Sequence, residues 1–290
     1  MKIISRYTDD ADKRELLCQF TDVIFPGADF RRAYKLGGWG PTYFPMSIVE
    51  DGRIVSNIAW SEMSLLLNGV SVPAIQLATV GTLPEFRNRG YSRLLLERLI
   101  AEYETKTGVM FLYGNDTVLD FYPLFGFEPV QESLFQLPLN SIKPKASFRV
   151  LDMEQSDDFQ LLQKLAFERL PVTELFGAHN YAHALLWQVA NGLDKCLRFL
   201  EDEHIIVVCE QIDSSLHVYD VLALEPCSFE EILPRLISDS NMTHVVFHFT
   251  PELLNLQSAV KAIPSEEALF IRGEFPIPAQ TFKYPATGQT

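Results

Sequence analysis

"PEFRNRGYSRLLLERLIAEYE", residues 84–104, passes within a few positions from a turn with Arg87, Arg89 and Arg93 set around Gly90 to a helix with an apolar stripe. Tyr91, Leu94, Leu95, Leu99 and Tyr103 recur at helical spacing, which predicts a helix over 91–103. A helix that opens on glycine has no side chain to satisfy its first N–H groups, and these point outward with the positive end of the helix dipole. With arginines beside them, the place suits an anion, phosphate above all.

Upstream, "MSIVEDGRIVSNIAW" sets Asp51-Gly52 between two strand-like runs, and "SLLLNGVSVPAIQLATV" sets Asn68-Gly69 between the next two. Both dipeptides suit the two φ > 0 positions of a type I′ turn, so an antiparallel meander of three strands is expected. Its last strand, Ala74 to Thr82, is apolar on both faces apart from Gln76 and Thr79, as in a strand covered on both sides. Downstream, "GVMFLYGN" reads as a short buried strand. A second helix is expected to open at Asp116-Thr117 and run through Phe121-Tyr122 to just before Gly126, with "FGFEPVQESLFQL" as the closing strand.

The pattern breaks at "LPLNSIKPKAS", residues 137–147, where Pro, Asn, Ser and Lys displace the apolar periodicity. We therefore expect two domains, 1–140 and 146–290. The second half reads as a strand ("FRVLDM"), two helices, three strands, a helix ("SFEEILPRLI") and two further strands ("THVVFHF", "ALFIRGEFP"), similar in order to the first half but without the Arg/Gly turn. "KYPATGQT" reads as a loosely held tail.

Net charge is −14, unevenly placed. Residues 1–145 carry 15 Lys+Arg against 17 Asp+Glu, or −2, and residues 146–290 carry 9 against 21, or −12. Such a balance argues against nucleic acid, and it is compatible with attraction of a cationic small molecule or peptide as well as with a plain solubilising surface. No apolar run approaches the ~18 residues of a membrane span. "MKIISRYTDDADKRE" turns charged before a signal core can form, so a cytoplasmic location is expected. Cys18, Cys196, Cys209 and Cys227 show no CxxC pair, and reduced, mostly buried thiols are expected. His179/His183 and His244/His248 are each four apart, but no HExxH or acidic partner accompanies them, so no metal is expected. "KLGGWGPTYF", residues 35–44, is a poor nucleotide loop and suits a substrate-side loop lined by Trp39 and Tyr43.

Two motifs carry a resemblance. Arg87-Asn88-Arg89-Gly90-Tyr91-Ser92 resembles the Gln/Arg-x-x-Gly-x-Gly/Ala signature that links central strand and helix in the GNAT superfamily of N-acetyltransferases, with Ser92 in place of the final Gly/Ala. "NDTVLDFYPLFGFEPV" sets Asn115, Tyr122 and Gly126-Phe127 in the register of the same family, over roughly residues 1–137. The resemblance implies an α/β (α+β) GNAT fold: a mixed, mostly antiparallel sheet flanked by helices, followed here by a second, degenerate GNAT-like lobe. The chain is similar to tandem-lobed acetyltransferases of the enhanced-intracellular-survival type, without room for their third, sterol-carrier-like domain.

The resemblance further implies acetyl-CoA as cosubstrate, its pyrophosphate on residues Arg87, Asn88, Arg89, Gly90, Tyr91 and Ser92, its pantetheine along Val80, Gly81 and Thr82, and Asn115 nearby. An N–H of that strand would polarise the thioester carbonyl. Tyr122 would protonate the departing thiolate, against the plainer reading of a core aromatic among Phe121, Phe125 and Phe127. For a base, some family members use a central-strand Glu. Gln76 stands in that region and does not titrate, so Glu62 on the neighbouring strand is the substitute candidate, its plainer reading a solvated strand residue. A water chain, or an acceptor of low pKa, is the alternative. The function implied is acetyl transfer to a primary amine of a small molecule or peptide, and the alternative of another class is an acetyl-CoA-binding sensor or partner-recruiting module. The sequence leaves the oligomeric state open.

Overall fold

The structure, a computed structural model, describes residues 1–115, 117–139, 142–239 and 241–290. Strand β1 (Lys2–Ser5) leads into helices α1 (Ala11–Ile24) and α2 (Phe30–Lys35), each opened by an aspartate cap, Asp10 and Asp29. The meander follows as β2 (Tyr43–Glu50), β3 (Arg53–Leu67) and β4 (Val70–Thr82). Asp51, Gly52, Asn68 and Gly69 all take positive φ, as the two tight hairpins require. Helix α3 (Tyr91–Tyr103) buries Leu95, Leu96, Leu99 and Tyr103, and β5 (Val109–Gly114) runs parallel to β4.

The expected second helix is absent from the described residues: Thr117 to Phe121 form turns and only Tyr122–Phe125 close a single 3₁₀ turn. Asp116, its expected start, lies outside the described residues. Pro123 supplies no N–H late in the segment and disfavours helical backbone at Tyr122 before it, and Gly126, at φ 76°, ends the turn.

After this turn come β6 (Glu128–Val130), β7 (Ser133–Pro138), β8 (Arg149–Val150), α4 (Ser156–Glu168), β9 (Phe176–Ala178) and α5 (Ala182–Gln188), the last running into a π turn, Val189–Leu193. The remaining elements are β10 (Leu197–Leu200), β11 (Ile205–Ile212), β12 (Ser215–Leu222), α6 (Phe229–Leu236), β13 (His244–Phe247), β14 (Lys261–Pro264), β15 (Ala268–Gly273) and a 3₁₀ turn, Ala286–Gly288. No described helix is long and apolar enough to cross a membrane.

Two sheets result, and they exchange strands. The first runs β1-β2-β3-β4-β5-β15-β6, with β9 beside β3, and the second runs β8-β10-β11-β12-β13-β7-β14. Position for position the orders match, and each sheet has one parallel pair, β4–β5 and β12–β13. The expected closing strand over residues 127–137 is therefore divided. Its β6 half stays at the first sheet's edge, and its β7 half crosses to lie between β13 and β14. In return "ALFIRG", expected in the second lobe, pairs with both β5 and β6 of the first. Asn140 and Ser141, within the expected boundary, lie outside the described residues.

The expected loose tail is buried instead. Lys283, Tyr284 and Thr287 are each 0% exposed. The tail closes over the crossover: Ser133 N–H donates to the Phe282 carbonyl at 3.0 Å, Lys283 Nζ meets Glu132 Oε2 at 2.7 Å, and Tyr284 N–H donates to Glu132 Oε1 at 2.8 Å. Beyond it, Ala286 N–H donates to the His248 carbonyl and Thr287 Oγ1 to Asp220, a carboxylate that also pairs with buried Arg169. The segment thus lies where β12 and β13 part.

Two outcomes follow from this exchange. A fragment of residues 1–145 lacks β15, leaving β5 unpaired on one side and β7 without a sheet, so it should elute as aggregate rather than monomer by size exclusion. Lys283→Met strands Glu132 in the interior and should cost about 3–5 kcal/mol in urea unfolding, whereas Glu132→Gln with Lys283→Met should cost less.

Candidate active site

β4 and β5 pair only from Ala74/Val109 to Gln76/Phe111, and beyond that they separate. The separation is prepared on β4. Between the pairs Ala59/Ala78 and Asn57/Gly81, the two residues Thr79 and Val80 oppose the single residue Ile58, and Thr79 takes φ 50°. A buried polar chain holds this bulge: Asn57 Nδ2 donates to the Thr79 carbonyl at 2.8 Å, Ser47 Oγ donates to Asn57 Oδ1 at 2.7 Å, and Tyr43 Oη meets Thr79 Oγ1 at 2.9 Å. The opened cleft encloses about 250 Å³ and is lined by Phe30, Val80, Asn115, Tyr122, Trp187 and Thr290 among others.

β4 leads from this cleft to the start of α3. Thr82 Oγ1 lies 2.8 Å from Ser92 Oγ, which ties the strand end to the first helical turn. Gly90, at φ 77°, is the N-cap and offers no side chain, and among the described residues the N–H groups of Tyr91, Ser92 and Arg93 find no acceptor. Asn88 also takes positive φ, and the space over Gly90 is open. Arg87 Nε reaches the Thr82 carbonyl at 3.3 Å, while the Arg89 guanidinium rests on the Phe86 ring at 4.7 Å, so both cations are exposed beside the free N–H groups. Tyr91 turns away to donate to Glu50. Gly81 is closely covered by α1, since a Cβ there would sit 2.7 Å from Ile24 Cγ2.

Tyr122 lies in the cleft wall, its ring 5.6 Å from Phe270 of the exchanged strand β15. Burial pushes its hydroxyl well above the ordinary tyrosine pKa, which keeps the proton on. Asn115 lines the cleft as well, and its Oδ1 accepts from Thr117 N–H at 3.0 Å. Glu62 stands apart. Its carboxylate accepts from the Tyr103 hydroxyl and faces Arg6 Nη2 at 3.5 Å, on the border of an outer pocket of about 770 Å³ and a small inner cavity of about 40 Å³. Burial, and then the Glu62 carboxylate, push Tyr103 up to about 12. Gln76 lines the inner cavity and is 0% exposed.

Residues 42–130 match the family model described as an acetyltransferase (GNAT) domain. Over those residues the chain carries a GNAT-type acetyltransferase domain. No curated protein matches the chain. Among solved structures, a conserved protein from Enterococcus faecalis V583 is similar at 12% identity and TM-score 0.60, over 94% of this chain and 72% of its own. Eis1 from Mycobacterium abscessus is similar at 14% identity and TM-score 0.53, over 93% and 73%. A GCN5-related N-acetyltransferase from Kribbella flavida is similar at 15% identity and TM-score 0.53, over 93% and 70%. At such identities the likeness is one of fold, and it spans both lobes.

The GNAT lobe does not build its cleft alone. Trp187 of α5 packs edge-on to Phe30 with ring centroids 5.9 Å apart, and Thr290 lines both the cleft and the inner cavity. Asn180 and His183 complete the outer pocket. Of these, only His183 carries a sequence signal, its spacing from His179. Trp187 and Thr290 carry none.

Proposed function

We propose that the protein moves an acetyl group from acetyl-CoA to a primary amine. The observation that carries this is one strand, β4, joining a helix start with free N–H groups and two exposed arginines to a cleft that contains a protonated tyrosine. Pyrophosphate suits the N–H groups from Asn88 to Ser92 with Arg87 and Arg89 beside them, and the open space over Gly90 admits it. Pantetheine then lies along Val80, Gly81 and Thr82, beside Asn115. The amine nitrogen attacks the thioester carbonyl, the C–S bond breaks, and Tyr122 gives its proton to the thiolate.

The acceptor enters through the outer pocket, which lies at the opposite end of β4 from the start of α3 and holds Ser71, Pro73 and Ala74. Glu62 faces it there, and because its carboxylate already serves Tyr103 and Arg6, we assign it to holding a cationic group rather than taking a proton. The charges lining the pocket are mixed, Arg6 and Lys106 against Glu62, so any wider attraction of cations rests on the acidic second half.

Calorimetry with acetyl-CoA, run beside a thiol-release screen over polyamines, aminoglycosides, amino acids and peptides, tests the proposal. Tight binding without release on any amine makes the protein a sensor instead. Gly90→Asp places bulk and negative charge on the phosphate turn. It should abolish measurable acetyl-CoA binding in calorimetry while leaving circular dichroism unchanged and lowering the melting temperature by only a few degrees: nothing packs on that position, and the cost is that of a Cβ at φ 77°, about 1–2 kcal/mol. Tyr122→Phe should lower kcat by roughly 10²-fold with acetyl-CoA affinity held, as expected when a general acid is lost with little volume. An unchanged kcat would return Tyr122 to the core.

A further inference from the structure

The inner cavity between the lobes holds an unmet demand. Gln76 is wholly buried, and among the described residues neither atom of its amide has a hydrogen-bond partner, nor has the Oγ1 of Thr290 in the same wall. Buried amides are nearly always satisfied by protein, water or ligand. At about 40 Å³ the cavity is too small for an acceptor molecule but large enough for water. It adjoins the cleft through Thr290, which lines both, and the outer pocket through Glu62 and His183.

His183 is fixed in one tautomer there. Its Nδ1 lies 2.7 Å from the Gly37 carbonyl, which only accepts, so Nδ1 carries the hydrogen and Nε2 presents a lone pair. The ring is seated on Gly40, where a Cβ would come within 2.3–2.8 Å of ring atoms, and Phe167 meets it edge-on at 5.0 Å between centroids. Nε2 has no partner among the described residues. Imidazole is the side chain suited to taking and releasing a proton near neutrality. Gln76 does not titrate, and Glu62 is held by Tyr103 and Arg6.

We infer that His183, carried by the second lobe, is the proton acceptor for the incoming amine, reached through water held on the Gln76 amide in the inner cavity. The inference rests on the acetyl-transfer reading above. An acceptor arriving as an ammonium gives one proton through that water to Nε2, and the free amine then attacks. Its second proton restores the hydroxyl of Tyr122, which has protonated the thiolate. The imidazolium returns its proton to solvent in the outer pocket. The sum is one amide and one thiol formed and one proton released.

The test uses the full chain, acetyl-CoA and the best amine of the screen. His183→Asn keeps an N–H donor for the Gly37 carbonyl and removes the distant base. It should lower kcat roughly 10²-fold while the melting temperature and the KM for acetyl-CoA stay put, and added imidazole should restore part of the rate to His183→Ala. A kcat for His183→Asn within about threefold of the unchanged protein, or two slow variants on which imidazole has no effect, overturns the inference while leaving acetyl transfer standing. Absence of thiol release by the unchanged protein with every amine overturns both.

Discussion

A carboxylate and an ammonium sealed between two sheets govern how this chain is assembled. Glu132 and Lys283 are both 0% exposed, and they sit where β6 ends, β7 begins and the tail returns. Buried ion pairs add little to stability when compared with apolar isosteres. Here, however, the carboxylate also accepts from Tyr284 N–H and the Tyr113 hydroxyl, and the ammonium also meets Glu267. A crossover that slipped by one residue would leave these groups unsatisfied in a low-dielectric interior. The pair therefore specifies which strand enters which sheet.

That specification reaches the chemistry. Phe270, which braces the Tyr122 ring, belongs to β15, and Arg272 of the same strand lies over Gly126, where a Cβ would meet its Nη1 at 2.8 Å. The lobe that carries the Arg/Gly turn depends on the other half for the wall behind its tyrosine, for Trp187 and for His183. The second lobe repeats the strand order but closes the equivalent gap with its own chain, where Asp220 serves Arg169 and Thr287.

Much of the first lobe is legible from local rules. Asp51-Gly52 and Asn68-Gly69 fix two hairpins because few residues accept consecutive positive φ. The bounds of α3, Tyr91 to Tyr103, match the expectation because a glycine start and an amphipathic period are both local signals, but the stripe is corrected at one place: Leu94 is exposed and Leu96 is buried instead. The site was half legible: Val80, Asn115 and Tyr122 share the cleft, and Arg87, Asn88, Arg89 and Gly90 flank the α3 start, but Glu62 lies elsewhere, in a network with Arg6 and Tyr103. The strand exchange was not legible, since "SLFQLP" and "ALFIRG" both read only as short apolar strands and pairing partners are chosen by the tertiary core. Nor was the burial of "KYPATGQT", whose polar groups find distant partners in Glu132, Glu267, His248 and Asp220.

The exchanged strand also sets an order of events during synthesis. β5 ends at Gly114, and the strand that completes its far edge begins at Ala268, 154 residues later. At roughly 5–20 residues per second on the ribosome, the nascent chain carries an unpaired, apolar sheet edge for about 8–30 seconds. An identical edge on a neighbouring nascent chain is a competitor throughout that interval. Cellular yield accordingly depends on how well that interval is guarded, by chaperones or by slow initiation on each message, as well as on the strength of the finished core.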